Sequence, residues 1–416
     1  MSYKWIKILL LSSALVGCSS VSLAPIYDRC GAANALCAPV PANTTMPGAP
    51  ADAALQPWPG VQTSSVALPD VANMMPEKPL STRMALLLPL RSATLGAAAE
   101  AVRAGFMAAH ERDQQGVTVS VIASDAVPEQ TLSLYLDAQN NNDIVIGPLS
   151  RNGVNAIAQS GAVRIPTIAL NQSVQDGAAP LPPNMIAMGL SIEDEARQVA
   201  RWASQEHPGA RAFIIGTNIA WQRRAANAFT AEWQRLGLSS QSMELGLVNG
   251  YLSANGMEQL RNRLQNERPA LLFVSMGSGL TRQLRLGIGT EVPVYGTSQL
   301  NPFLGADSVA DPLTEGLHLV DMPWQLQPDH PAVMAYPRLV TAADKDRNPD
   351  LERLYALGID AYRVAHEIAS AHQQFEIDGV TGRLAVTFGP GTASFQRIDP
   401  QAVYQNGTVI LLPGTR

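Results

Sequence analysis

The residue with the most distinctive chemistry in this chain is Cys18, reached through Leu15-Val16-Gly17 at the end of a short apolar run. A thiolate is a strong nucleophile, and after a cut at the small Gly17 it could carry a thioether-linked lipid. Lys4 and Lys7 give the segment a positive start. The apolar stretch over 6–16 has signal-peptide length and falls well short of the roughly 20 residues a spanning helix needs. Two further cysteines, Cys30 and Cys37, could close a small loop in an oxidising compartment, which chain entropy makes worth roughly 2–3 kcal/mol. A redox or metal role for that pair finds no His or third Cys nearby.

Leu15-Val16-Gly17-Cys18 resembles the lipobox of bacterial lipoproteins; the alternative is an ordinary signal peptide with an incidental cysteine. The resemblance implies several acyl chains on Cys18, and two membrane signals already give stable anchoring. Ser19 follows. In such lipoproteins an Asp at that place retains the protein in the inner membrane, so Ser19 implies the outer membrane of a Gram-negative cell.

Constellations that could catalyse a reaction are missing. The sequence holds no G-x-S-x-G, H-E-x-x-H, C-x-x-C or G-x-x-x-x-G-K. Its histidines, His110, His207, His318, His330, His366 and His372, are scattered, and the last two are not at a spacing that puts two ligands on one helix face. The expectation is a protein that is not an enzyme and has no metal and no cofactor. A net charge of −6 and only four Lys speak against a nucleic-acid surface.

The elements that would position a binding site follow a clear plan. Residues 18–80 form a tether rich in Pro, Ala, Ser and Thr that can build neither helix nor core. At about 3.1 Å per residue it could reach on the order of 150 Å, as a passive spacer or as a binding segment. From 81 onward, strands at 84–90, 117–123, 143–147, 166–170 and 185–190 alternate with helical stretches, the first at 96–112. A second block opens at Ser191, which caps a helix together with Asp194. Its strands fall at 211–216, 243–247, 270–276 and 293–297, and its helices at 221–236, 256–265 and 280–286. A strand at 316–322 and a helix at 352–371 follow.

The pattern predicts an α/β fold of two lobes, each a mainly parallel sheet flanked by helices, with a hinge between them. Domain bounds are 1–17 for the signal, 18–80 for the tether and 81–416 for the bilobal part. Lobe one takes about 82–190, lobe two about 191–324, and the two share 325–416. In such sheets ligands sit beyond the carboxyl ends of strands. That places Arg91, Ser92, Ser150, Asn171, Gln172, Asn218 and Trp221 along the cleft, either as contacts to a small ligand or as solvated loop residues. Ser150 serves a ligand or caps the helix after it.

Gly147-Pro148-Leu149-Ser150, Ile165-Pro166, the Gly-Ile-Asp-Ala-Tyr of 358–362 and the Asp-Gly-Val-Thr-Gly of 378–382 resemble the type 1 periplasmic-binding-protein fold of leucine/isoleucine/valine receptors. More specific are 84–90 with Gly105-Phe106, then 168–171, the Asp-Met-Pro-Trp of 321–324, 354–362 and 381–384. This set resembles the penicillin-binding protein activator lipoproteins. The resemblance implies an outer-membrane lipoprotein that reaches inward and stimulates a bifunctional peptidoglycan synthase. Well-known members carry a helical repeat domain where this chain has its Pro-rich tether, so contacts made by that domain do not carry over. The competing expectation is a solute receptor of an importer, with an amino acid or similar ligand between the lobes.

Overall fold

Met84, Leu86 and Leu88 point to one side of the first strand and Ala85 and Leu87 to the other, and all five are buried. A strand that is apolar on both faces belongs at the centre of a helix–sheet–helix sandwich. The computed structural model describes residues 81–114, 116–172, 180–301, 311–339, 348–389 and 392–413. Cys18, Cys30, Cys37 and the tether lie outside the described residues.

Lobe one is built from β1 (Thr82–Leu88), α1 (Gly96–Arg112), β2 (Val117–Ala123), α2 (Pro128–Asn141), β3 (Ile144–Ile146), α3 (Arg151–Gln159), β4 (Thr167–Ala169) and β5 (Met185–Ala187). The strands lie in the order β2-β1-β3-β4-β5, every pair parallel. Tyr135, Val154 and Ile157 cover one face of the sheet. Val102 and Phe106 of α1 cover the other.

Lobe two runs through α4 (Ile192–Glu206), β6 (Ala212–Gly216), α5 (Ala220–Arg235), β7 (Ser240–Glu244), the hairpin β8 (Leu247–Val248) and β9 (Tyr251–Leu252), α6 (Ala254–Glu267), β10 (Leu271–Val274), α7 (Ser278–Ile288), β11 (Val294–Gly296), a 3-10 turn at Ser298–Leu300 and β12 (Leu317–Val320). Ser191 caps α4 as expected, its Oγ accepting from the Asp194 amide at 3.1 Å. The apolar face of α4 then packs Val199, Trp202 and Ala203 onto the sheet beside Phe229 and Trp233 of α5.

The chain then re-enters lobe one as α8 (Pro323–Leu326), α9 (Pro331–Met334) and α10 (Pro349–Ala369), followed by an antiparallel meander of β13 (Gln374–Asp378), β14 (Arg383–Gly389) and β15 (Thr392–Ile398). It ends in lobe two, where β16 (Gln401–Gln405) and β17 (Thr408–Leu411) extend the sheet to β17-β16-β12-β11-β10-β6-β7. The first of these joins antiparallel to β12. Apolar alternation over 374–411 is interrupted by charged and polar residues, which is why periodicity alone did not disclose these five strands. No helix among the described residues is long and apolar enough to cross a membrane.

The long helix α10 starts where Asn348 Oδ1 accepts from the amides of Asp350 and Leu351 at 3.0 and 3.3 Å. It lies so close to α1 that two glycines are required. A Cβ at Gly105 would strike the Tyr355 carbonyl, and one at Gly358 would strike the Val102 carbonyl. Backbone cannot yield as a flexible side chain can, so overpacking outweighs the roughly 1 kcal/mol of helix propensity that alanine adds. Gly105→Ala and Gly358→Ala should each lower stability by about 1–3 kcal/mol in urea unfolding.

Candidate functional site at the hinge

The lobes are joined by three crossings of the chain: after β5, after β12 and after β15. Around these crossings lies a buried polar cluster. Asp321, directly after β12, is fully enclosed and takes four donors. Arg353 on α10 supplies Nε at 3.1 Å and Nη2 at 2.8 Å, Asn301 supplies Nδ2 at 2.9 Å, and the Met322 amide reaches it at 2.9 Å. Arg353 also donates to Asp350 at 3.0 Å and to the Ser298 carbonyl at 2.9 Å. Tyr404 of β16 donates to Asn301 Oδ1 at 2.8 Å, which ties the last crossing to the same centre.

A second set of bonds secures the lobe-one side. Asp360 of α10 is buried, and its carboxylate accepts from the amides of Val380 at 3.2 Å and Thr381 at 2.7 Å and from the Thr381 hydroxyl at 2.6 Å. Arg397 on β15 reaches Thr381 Oγ1 at 3.2 Å and the carbonyls of Gly189 and Met188 at 2.9 Å each. The segments 358–362 and 378–382, seen in the sequence as scaffold features, are thus the two halves of one hydrogen-bonded joint.

Two more carboxylates meet at the crossings without a cation of their own. Glu195 on α4 accepts the Ser298 amide at 2.8 Å. Asp399 accepts from Gln198 Nε2 at 3.0 Å, and its amide donates back to Gln198 Oε1 at 3.0 Å. Burial, then the charges of Asp399 and Asp321, push the Glu195 carboxyl up to about 8. Burial likewise lifts Asp399, to about 6. A pocket of about 190 Å³ opens onto the cluster, with Ser191, Glu195, Gln198, Asp321, Arg397 and Asp399 in its wall.

The residues expected along the cleft are placed as follows. Ser150 Oγ accepts from the Gly153 amide at 3.2 Å and so caps α3. Asn171 Nδ2 donates to the Leu149 carbonyl at 2.9 Å, while its Oδ1 accepts the Gln172 amide at 2.9 Å. These three sit together at the ends of β3 and β4. Arg91 is exposed and paired with Asp125 at 3.0 Å, and Ser92 Oγ accepts the Leu95 amide at 3.2 Å. In lobe two Asn218 is exposed and Trp221 is half-buried at the start of α5. The bond that joins the lobes on this side involves neighbours instead. Glu193 of α4 pairs with Arg224 at 2.7 Å and with Arg151, the first residue of α3, at 3.7 Å.

Reasoning from sequence missed Glu195, Gln198, Arg353 and Asp399. They come from separated segments with no local motif, whereas Asp321, Asp360 and Thr381 lie inside quoted ones. Among the described residues no group of three or more His, Cys, Asp or Glu side chains is placed to hold a metal ion.

The two parallel-sheet lobes, their three crossings and a polar hinge define a type 1 periplasmic-binding-protein-like molecule. The chain belongs to the LppC family, whose model, described as "LppC putative lipoprotein", matches residues 59–285 and 257–390. It is similar to the penicillin-binding protein activator LpoA of Photobacterium profundum, at 25% identity over 73% of this chain and 53% of that protein. It is similar also to LpoA of Haemophilus ducreyi, at 27% identity over 80% of this chain and 55% of that protein. The chain spans about half the length of these curated relatives. Among solved structures, the C-domain of Haemophilus influenzae LpoA, named as a regulator of PBP1A, matches with TM-score 0.63 at 20% identity, covering 80% of this chain and all of that one. A Chromobacterium violaceum protein named as a "putative branched-chain amino acid ABC transporter" matches with TM-score 0.62 at 32% identity, covering 78% of this chain and all of that one.

Removing one member of a buried ion pair strands the other in a dry site, whereas replacing both does not. Arg353→Met should therefore cost about 3–5 kcal/mol in urea unfolding, and adding Asp321→Asn to it should restore part of the loss.

Proposed function

We propose that this chain is a lipid-anchored activator of a peptidoglycan synthase, a bifunctional penicillin-binding protein, and that it acts by binding alone. The observation that carries the reading is the LppC match, which runs through both lobes and across the first two crossings of the hinge. Relatives named as penicillin-binding protein activators align over 73% and 80% of the chain, and the C-domain of Haemophilus influenzae LpoA aligns over its whole length.

An activator need only favour the active conformer of its partner. A coupling of about 1–3 kcal/mol changes activity some 5- to 150-fold with no chemistry by the activator itself. The anchor in this reading is Cys18, with Ser19 directing it to the outer membrane and the Pro-rich tether carrying the lobes toward a synthase in the inner membrane. In this reading the lobes, through which the LppC match runs, carry the docking surface.

A second reading, a receptor for a small solute held between the lobes, is favoured by the 32% identity to the Chromobacterium violaceum protein. Ser150, Asn171 and Gln172 would contact the ligand from lobe one, Asn218 and Trp221 from lobe two, and Arg91 and Ser92 would lie at the rim. The readings part on one pair of measurements. Added to a bifunctional synthase with lipid-linked precursor, the lipid-free chain should raise the rate of glycan polymerisation or cross-linking several-fold, and calorimetry against branched-chain amino acids should show no heat. Unchanged synthase rates together with tight amino-acid binding would establish the receptor instead.

A further inference from the structure

Each crossing of the chain brings one carboxylate to the hinge: Glu195 shortly after the first, Asp321 at the second and Asp399 at the third. Among the described residues Arg353 is the buried cation beside them, and its guanidinium donates to Asp321, Asp350 and the Ser298 carbonyl. Arg397 stands at the edge and spends its donors on Thr381 and the carbonyls of Met188 and Gly189. On α4 itself, Arg197 pairs with Asp194 at 2.6 Å and Arg201 with Glu232 at 2.9 Å. Glu195 and Asp399 therefore hold only uncharged partners, the Ser298 amide and the Gln198 side chain.

Two carboxylates facing one pocket, with Arg397 and Arg353 near them but hydrogen-bonded to other groups, cannot both stay charged at low cost, since like charges in a weakly screened site repel strongly. A proton retained on one of them removes the repulsion. We propose that the hinge is a proton-operated clamp, in which one proton held between Glu195 and Asp399 keeps the three crossings together and its loss to water in the pocket lets them part and the lobes open. Glu195, Asp321 and Asp399 lie on three different segments, so repulsion among them acts directly on the spacing of the crossings. The pocket at their side gives water its way in.

The direction follows from the shifts. A carboxyl raised in the folded chain contributes stability that is present at low pH and lost as pH rises through its folded value. For Asp399 that value is about 6, and for Glu195 about 8. Both carboxyls are raised and they titrate as a pair, so its last proton is lost well above the ordinary carboxylate range and the clamp releases on the alkaline side.

The test needs no synthase, so its outcome is independent of the activator reading. Spin labels go on cysteines introduced at the exposed positions Glu111 in lobe one and Glu258 in lobe two, in the full chain with its three native cysteines changed to serine. Pulsed dipolar spectroscopy should give one short inter-lobe distance at about pH 6 and a distribution shifted outward by several ångströms at about pH 9. Glu195→Gln, which keeps the shape and accepts from Ser298 but cannot ionise, should hold the short distance at both. Its melting temperature should lie nearest the parent's at low pH, around the ordinary carboxylate range, and exceed it by a margin that grows as pH rises toward about 8. Asp399→Asn removes the neighbouring negative charge that favours the proton on Glu195 and should move the opening midpoint to lower pH; a midpoint that moves up would contradict the proposal. A parent distance that does not change with pH, or a change that persists in Glu195→Gln, or a midpoint untouched by Asp399→Asn, would overturn the proposal.

Discussion

The ion pair of Arg353 with Asp321 is the contact on which the rest of the hinge depends. Taking both charges out of water costs several kcal/mol per ion, and the attraction between them offsets this only when the remaining donors and acceptors are also filled. Here the Asp321 carboxylate takes the Asn301 side chain and the Met322 amide besides the guanidinium, and Arg353 reaches on to Asp350 and Ser298. Those partners come from α10, from the turn after β11, from the end of β12 and, through Tyr404 and Asn301, from β16. One saturated ion pair thus registers lobe one against lobe two.

Such a centre lets the two sheets remain separate cores. Each lobe buries its own apolar faces, and the segments between them are polar and hydrogen-bonded. Apolar packing is non-directional and would tolerate many relative placements, while a charged, bidentate contact tolerates few. For a protein read as acting through differential binding, that matters. A partner can bias a hinge only if the hinge has a small number of defined arrangements to choose among.

Much of the architecture was legible in the sequence. Buried parallel strands read as apolar runs, as in 84–90 and 270–276, and Ser191 with Asp194 announced α4 correctly. Five strands after α10 escaped notice, since antiparallel ribbons with one wet face carry mixed residues. The candidate site was much less legible. Ser150 declared itself through the glycine turn before α3, and the structure shows it capping that helix. Glu195, Arg353 and Asp399 gave no signal, because each is an ordinary charged residue until the fold brings the crossings together. Burial of charge is a tertiary property and has no spacing rule.

The amides that donate into these carboxylates report most directly on whether the polar hinge is as firmly held as the geometry implies. Native-state hydrogen exchange near neutral pH should show the amides of Met322, Val380 and Thr381 exchanging only with global unfolding, as slowly as Leu86 and Phe273 in the two sheet cores. Exchange of those three amides at the rate of exposed loops, with the cores still protected, would contradict the account.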